Sequence, residues 1–335
     1  MNWEHMNKKN FDLALKKGSK KIHLKRQKQL AKAYHYHKFF HDKNGNIDSK
    51  YLESRNCPIC NKNNFVFLFK KNGGNYVQCK SKTCQLVYLN PCFTDVHLEN
   101  YYKNMGIMQS ITVKDERPFY RKIYSYGIKN INKFVKSKKE INILDIGCST
   151  GFFLDIAKEK KWKTFGIELN EKEIDIAKKK HNVKNINLHE VQKKLNYKFD
   201  IITMWDVIEH IKDLHKLLKD IRKNLKIGGL FFFQTPNVNS LAARILKEKC
   251  NVFDGIEHVN LFNENNIYTI AKKNKFKLLS VESIISEIPI ISNYLNNDHP
   301  YLGSSKEKKI LGILDDKILH KKYLGYKLQV VLKLI

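Results

Sequence analysis

The sequence predicts an α/β fold, a doubly wound and mostly parallel sheet of seven strands with a small β-rich module before it. From about residue 120, apolar β-type runs alternate with amphipathic helical segments, the rhythm of a parallel sheet. Between residues 57 and 84, two cysteine pairs flank short β-type runs. A chain of 335 residues that is 42% hydrophobic can bury a large core, which excludes disordered and fibrous classes.

The first 50 residues form a basic arm, and the whole chain has 62 basic against 33 acidic residues, a net charge of +29. Such a charge would favour nucleic acid as a partner. However, only six of the basic residues are arginines, the side chain that nucleic-acid readers prefer for its bidentate fork. We therefore interpret most of the charge as solvated surface, and nucleic acid is the less favoured partner.

Membrane segments and export signals are not predicted. No apolar run approaches the roughly 20 residues of a membrane-spanning helix, and no signal-peptide core follows the lysine-rich start. We expect a cytoplasmic protein. The last 40 or so residues, lysine-rich with spaced apolar residues, leave contact with a membrane surface open as an alternative to a closing helix and strand.

Four cysteines predict a structural zinc ribbon within residues 51–105, a region that also holds a helical connector. Cys57 and Cys60 are separated by two residues, Cys79 and Cys84 by four, and eighteen residues lie between the pairs. In a chain without an export signal, such spacing favours thiolates around a metal over disulfides. Cys92 is a candidate substitute ligand, and four ordinary buried thiols are the alternative.

The domain from residue 106 to 335 contains the predicted parallel sheet. We predict strands at residues 141–146, 164–168, 185–188, 199–204 and 230–234, and helices at 152–160, 171–181, 214–225 and 240–247. The tail adds a helix at 263–273, a strand at 276–283, a helix at 306–320 and a strand at 326–334. In such a sheet the ligand binds at the carboxyl ends of the strands.

The first of these strands ends in an acid and runs into a short glycine loop. Asp145 is followed by Gly147 and Gly151, with Ser149 where a dinucleotide loop has its middle glycine. A carboxylate at this point would repel a pyrophosphate, but it would attract the ammonium and sulfonium of S-adenosylmethionine. Glu168, at the end of the second strand, suits the two ribose hydroxyls of that cofactor.

These segments, with FDIITMWDVIEH at 199–210, KIGGL at 226–230 and TPNVN at 235–239, resemble the class I S-adenosylmethionine-dependent methyltransferases. The similarity is greatest to the group of the ubiquinone-pathway O-methyltransferases and envelope-sugar enzymes, and it covers about residues 120–285. The cysteine ribbon resembles the subset with a zinc-binding N-terminal module. The resemblance implies a Rossmann-like fold and this set of cofactor-binding residues: Asp145, Gly147, Ser149, Gly151, Phe152, Glu168, Leu169, Glu190, Trp205, Asp206 and Val207. For the residue beside adenine, His189 and Glu190 are the nearest candidates.

Methyl transfer needs alignment and at most one base, because the sulfonium is already a good leaving group. If the acceptor is a hydroxyl, a neutral histidine could take its proton. His210 and His258 are the catalytic candidates, and structural roles are the alternative for both. The function predicted is O-methylation of a small-molecule or glycan intermediate of envelope or polysaccharide synthesis. An RNA methyltransferase and a non-catalytic scaffold that binds S-adenosylmethionine remain alternatives.

Overall fold

The computed structural model describes residues 38–98, 117–135, 140–286, 288, 291, 294 and 316–335. Their backbone contacts divide into two compact units, each made of separate stretches of chain. The ribbon unit consists of the described parts of Met1–Asn100, Thr235–Thr269 and Glu282–Leu328. The sheet unit consists of those of Tyr101–Gln234, Ile270–Val281 and Gln329–Ile335. Most of the predicted basic arm and connector, residues 1–37 and 99–116, lie outside the described residues.

The central sheet has seven strands, which confirms the predicted fold class. The strands are β6 (Asn142–Ile146), β7 (Lys163–Ile167), β8 (Asn182–Lys184), β9 (Phe199–Trp205), β10 (Leu225–Pro236), β12 (Phe276–Ile284) and β13 (Lys327–Leu334). Their order across the sheet is β12-β13-β10-β9-β6-β7-β8. The neighbouring pairs from β10 to β8 are parallel, so the carboxyl ends of these five strands share one edge.

Helices connect the strands, as the parallel pairing requires. They are α1 (Arg117–Asn132), α2 (Phe152–Glu159), α3 (Glu171–Ala177), α4 (Leu188–Leu195), α5 (Leu214–Asn224), α6 (Leu241–Leu246), α7 (Glu264–Lys273) and α8 (Asp316–Lys321). All five residues of β6 are buried, typical of a central strand covered on both faces. No helix among the described residues is both long and apolar enough to cross a membrane.

The sequence predictions were wrong around residue 185. The strand expected at 185–188 is instead the three-residue strand β8, and helix α4 follows where no helix was predicted. Asn187 and Glu190 form a capping box at the start of that helix, each side chain accepting a hydrogen bond from the other residue's backbone N–H. Of the helix predicted at 306–320, residues 306–315 lie outside the described residues, and α8 covers the part from residue 316.

The ribbon unit contains a four-stranded antiparallel sheet in the order β11-β4-β3-β2. Its strands are β2 (Phe65–Lys71), β3 (Gly74–Cys79), β4 (Val87–Leu89) and β11 (Asn260–Leu261). Two further strands, β1 (Leu52–Glu53) and β5 (Cys92–Phe93), form an antiparallel pair. Strand β11 comes from far along the chain, and it extends a sheet that the sequence predicted only as a local hairpin.

Candidate functional site

Asp145 lies near the carboxyl end of β6 and is 2% exposed. Its Oδ1 accepts a hydrogen bond of 2.6 Å from the hydroxyl of Thr203 on the adjacent strand β9. Burial raises the pKa of Asp145 to about 8; the Thr203 hydrogen bond opposes this rise, and the charge of Glu168 adds to it. A buried carboxyl with this pKa gains the most from a cationic ligand that compensates for its lost hydration.

The loop after β6 has the backbone that its glycines permit. Gly147, Ser149 and Gly151 have φ angles of 70°, 49° and 81°, the left-handed region. A Cβ at Gly147 would lie 2.7 Å from a methyl carbon of Val207, so the loop packs directly against another predicted cofactor residue. Helix α2 begins at Phe152, with Gly151 as its N-cap.

The Ser149 hydroxyl is a buried polar group with no hydrogen-bond partner within the part of the chain described. Such a group is unfavourable unless a ligand or water satisfies it. The neighbouring Cys148 thiol is buried against Gly166, and burial raises the pKa of Cys148.

Glu168 follows β7 and ties two loops together. One carboxylate oxygen accepts the backbone N–H of Ser149 at 2.9 Å, and the other accepts those of Leu169 at 2.7 Å and Asn170 at 3.0 Å. Because each carboxylate oxygen has two lone pairs, these three bonds leave one acceptor position, on the oxygen that accepts from Ser149, for a ribose hydroxyl. The predicted ribose ligand thus also fixes the glycine loop.

The residues after β9 are also held in place. Asp206 has a φ of 55°, and its carboxylate accepts a hydrogen bond from the Gln234 amide at 3.2 Å. Gln234 accepts from Gln329 at 3.1 Å, and Gln329 accepts from Asn130 at 3.0 Å. This polar chain crosses the buried core from helix α1 to the end of β9, an arrangement that fixes the direction of Asp206.

Trp205 is packed among aromatic rings rather than open to solvent. It is 8% exposed, and its ring centroid lies 4.7 Å from that of Tyr124, 4.9 Å from that of Phe153 and 4.6 Å from that of Phe232. Its indole N–H is buried without a hydrogen-bond partner among the described residues. A Cβ on Gly127 of helix α1 would overlap the Trp205 ring, which explains the glycine there.

The hydrogen bonds and packing contacts do not assign a cofactor-binding role to the residues predicted near adenine. Glu190 caps helix α4 and forms an ion pair with Lys194 at 2.8 Å, which already gives its carboxylate a structural role. His189 and Leu169 are exposed. Their parts in cofactor binding stay predictions.

The two histidines predicted as bases lie in different units. His210 closes a single 3-10 turn, Ile208–His210, in the sheet unit. It does not open the next helix as the sequence suggested, because Asp213 caps α5 by accepting the N–H of Lys216. His258 lies in the ribbon unit on the loop before β11, with its side chain 18% exposed.

Hydrogen bonds define the state of the His258 ring. Its Nδ1 lies 2.8 Å from the carbonyl oxygen of Val252. Since a carbonyl oxygen only accepts, Nδ1 carries the proton, and in the neutral ring the lone pair is on Nε2. Asp254 accepts the backbone N–H of His258 at 3.1 Å, and its Oδ2 lies 3.8 Å from Nδ1.

The four predicted zinc ligands come together. The sulfur atoms of Cys57, Cys60, Cys79 and Cys84 all lie within 4.8 Å of one another, with 3.5 Å between Cys57 and Cys84 and 3.4 Å between Cys60 and Cys79. Four thiolates around a zinc ion at the usual Zn–S distance lie about 3.8 Å apart. A hydrogen bond from Cys84 lowers the pKa of Cys57, as the first thiolate of a metal site requires. Cys92 lies in β5, outside this group of four.

Two residues of these sites were missed by the sequence analysis. Thr203 is 58 residues from the Asp145 carboxylate to which it donates, and Asp254 organises the His258 loop. No local sequence pattern marks Thr203, which has the features of an ordinary strand residue. Asp254 stands before Gly255, a pair typical of a turn, and this signal could have marked it as a loop-organising residue.

Known proteins similar to this chain include a methyltransferase family and several O-methyltransferases. Residues 119–281 match a family described as a methyltransferase domain. A ubiquinone biosynthesis O-methyltransferase of Pelagibacter ubique is 26% identical over 181 residues, 49% of this chain and 72% of that protein. One of Coxiella burnetii is 30% identical over 104 residues, 29% of this chain and 44% of that protein. The chain thus spans less than half of the length of the Coxiella relative.

Among solved structures, an S-adenosylmethionine-dependent methyltransferase of Archaeoglobus fulgidus aligns with a TM-score of 0.42 and 19% identity, over 63% of this chain and 92% of that one. Strands β6 to β10 and the acidic strand end with its glycine loop all lie within the residues that the family matches. Over residues 119–281, just under half of its length, this chain is therefore similar to methyltransferase domains.

Proposed function

We propose that this chain is an S-adenosylmethionine-dependent O-methyltransferase. The observation that carries the proposal is the buried Asp145 carboxyl next to a glycine loop with an orphaned serine hydroxyl. A cationic amino-acid group would stabilise the ionised form of the carboxyl, whereas a phosphate would gain nothing from the neutral form and be repelled by the ionised one. The residues present therefore fit S-adenosylmethionine better than a dinucleotide.

When bound, the cofactor supplies an electrophilic methyl group on a positively charged sulfur. Asp145 holds the ammonium end, and the Gly147–Gly151 loop lets the backbone approach the methionine part. Glu168 accepts from the ribose hydroxyls, and Asp206 and Val207 line the site beside them. Each of these side chains is fixed by hydrogen bonds or packing before the ligand arrives, so little ordering remains to be done on binding.

For the acceptor, we propose a hydroxyl group and His258 as the base. The hydrogen bond from Nδ1 to Val252 leaves the Nε2 lone pair as the proton acceptor of the neutral ring. His210 remains the second candidate. Relatives named as ubiquinone biosynthesis O-methyltransferases support oxygen as the methylated atom.

The substrate class proposed is a small molecule or glycan intermediate of envelope or polysaccharide synthesis. This substrate class is inferred from the group of enzymes that the sequence resembles. Metabolite analysis tests it. A strain without the gene should accumulate a compound one methylene unit lighter than one that its parent makes, and the purified enzyme should convert it.

A structural zinc ion in the ribbon completes the proposal. The spacing of the four sulfur atoms supports it. The ion would stabilise the ribbon and take no part in methyl transfer.

The first experiment is calorimetry with S-adenosylmethionine and with NAD. We expect micromolar binding of S-adenosylmethionine to the wild type, and weaker binding to Asp145→Ala and Glu168→Ala. Binding of NAD in its place would contradict the proposal. Binding without turnover of any acceptor would favour the scaffold. If RNA is bound with a steep salt dependence and methylated, the acceptor is RNA.

A further inference from the structure

Tyr76 of strand β3 connects the ribbon sheet to the loop that carries His258. Its side chain is fully buried. The phenol oxygen accepts the backbone N–H groups of Asp254 and Gly255, both at 3.1 Å. As a donor it lies 3.5 Å from the Asp254 carboxylate and 3.4 Å from the His258 carbonyl oxygen. One hydroxyl thus contacts three residues of this loop.

Asp254 extends this support to the backbone of His258. Its Oδ1 accepts the N–H groups of Ile256 at 2.8 Å, Glu257 at 3.0 Å and His258 at 3.1 Å. The backbone of residues 256–258 therefore wraps around the Asp254 carboxylate. The backbone N–H of Asp254 in turn donates to the Tyr76 hydroxyl. The imidazole bond to Val252 closes the same loop, so a displacement of Asp254 would move the ring relative to its Nδ1 partner.

The backbones approach so closely here that side chains are excluded. A Cβ at Gly74, in the β2–β3 hairpin, would overlap the carbonyl oxygen of Gly255. The ring of Phe253 packs on that of Tyr76, with centroids 5.1 Å apart. The loop and the hairpin are thus one packed element, in which the tyrosine hydroxyl supplies the directional bonds.

We propose that Tyr76 is a positioning residue for His258, which it orients through Asp254. The inference rests on the proposed function, in which the Nε2 atom of His258 accepts the proton of the acceptor hydroxyl. Tyr76 itself contacts neither substrate nor cofactor in this proposal. Its hydroxyl defines the loop conformation in which Nδ1 donates to Val252 and the lone pair stays on Nε2.

The ribbon offers a matched control. Tyr88, on the neighbouring strand β4, is also fully buried, and its hydroxyl has no hydrogen-bond partner among the described residues. Tyr76→Phe and Tyr88→Phe each remove one buried hydroxyl and keep the ring. A general effect on ribbon packing should appear in both variants, whereas an effect on His258 should appear only in the first.

The experiment uses the full-length protein with nitrogen-15 in its histidines. The His258 signals, assigned by comparison with His258→Gln, should report protonated Nδ1 and unprotonated Nε2 in the wild type and in Tyr88→Phe. In Tyr76→Phe they should shift to a mixture of tautomers. Amide hydrogen exchange of residues 254–258 should accelerate about tenfold, as expected when buried hydrogen bonds are lost.

If Tyr76→Phe does not fold, Asp254→Ala tests the same link from the loop side, where the side chain is 28% exposed. It should give the same tautomer mixture. An unchanged His258 tautomer in the folded variants would overturn the positioning role. Calorimetry with S-adenosylmethionine on the same samples separates the two ideas, because failure of the proposed function would appear there and leave the tautomer result untouched.

Discussion

Replacing Asp145 with asparagine should change how the stability of the protein depends on pH. Burial places the pKa of Asp145 at about 8, against 3.8 for the free side chain. The folded state therefore holds a proton that the unfolded state loses between about pH 4 and pH 8. The stability associated with this group is fully present below pH 3.8 and is lost as the pH rises through the folded value near 8.

The magnitude follows from the size of the pKa change. One proton corresponds to about 1.4 kcal/mol per pH unit, so the wild type should lose at most about 6 kcal/mol of stability across the window. An asparagine cannot ionise, and Thr203 can still donate to its oxygen. Its amide N–H groups add a cost of about 1–3 kcal/mol if unpaired, but that cost does not vary with pH.

Denaturant unfolding of wild type and Asp145→Asn at a series of pH values between about 5 and 9 measures this difference. Relative to the wild type, the variant should gain stability steadily up to pH 8 and then level off. Thr203→Val is the matched control: it removes a bond that opposes the pKa rise, so the sloping window should extend to higher pH. A difference that stays constant across the series would refute the reasoning, since it would mean that Asp145 ionises normally in the folded chain.

Two further predictions concern the other sites. Cys57→Ser combined with Cys60→Ser should remove about one zinc per chain by mass spectrometry, while Cys92→Ser should retain it; equal metal in all three proteins would contradict the ribbon. Gly147→Ala should weaken S-adenosylmethionine binding at least about tenfold in calorimetry, because its Cβ would meet Val207 and its φ is 70°. Wild-type affinity in that variant would show that the loop tolerates a side chain.

The parts of the fold that the sequence predicted well are those with strong local signals. Strand β6 is an unbroken buried run with an acid near its end, and the loop after it has glycines at positions of positive φ. Burial on both faces and left-handed backbone each restrict the residue types that fit. The central strands of the sheet could be predicted for this reason, and the cysteine cluster from the spacing of its two pairs.

The errors occurred where the signal was weak or competing. Strand β8 buries only Val183, and its two neighbours are exposed, so the alternation of Ile186 and Leu188 was more prominent. The capping box of Asn187 and Glu190 was the better signal, and it predicts helix α4. His210 was assigned to a helix start although Asp213 is the stronger N-cap residue.

The contacts that organise the His258 loop could not be predicted, because they join residues about 180 positions apart. Strand β4 of the ribbon pairs with β11, and the Arg55 guanidinium donates to Asn260 of that strand at 2.8 Å. A chain lacking residues 1–105 would lose the pairing of β11, the Arg55 bonds and the Tyr76 hydroxyl together. Since the His258 loop depends on all three, the ribbon belongs to the structural basis of the proposed chemistry, and it cannot be treated as a separable appendage.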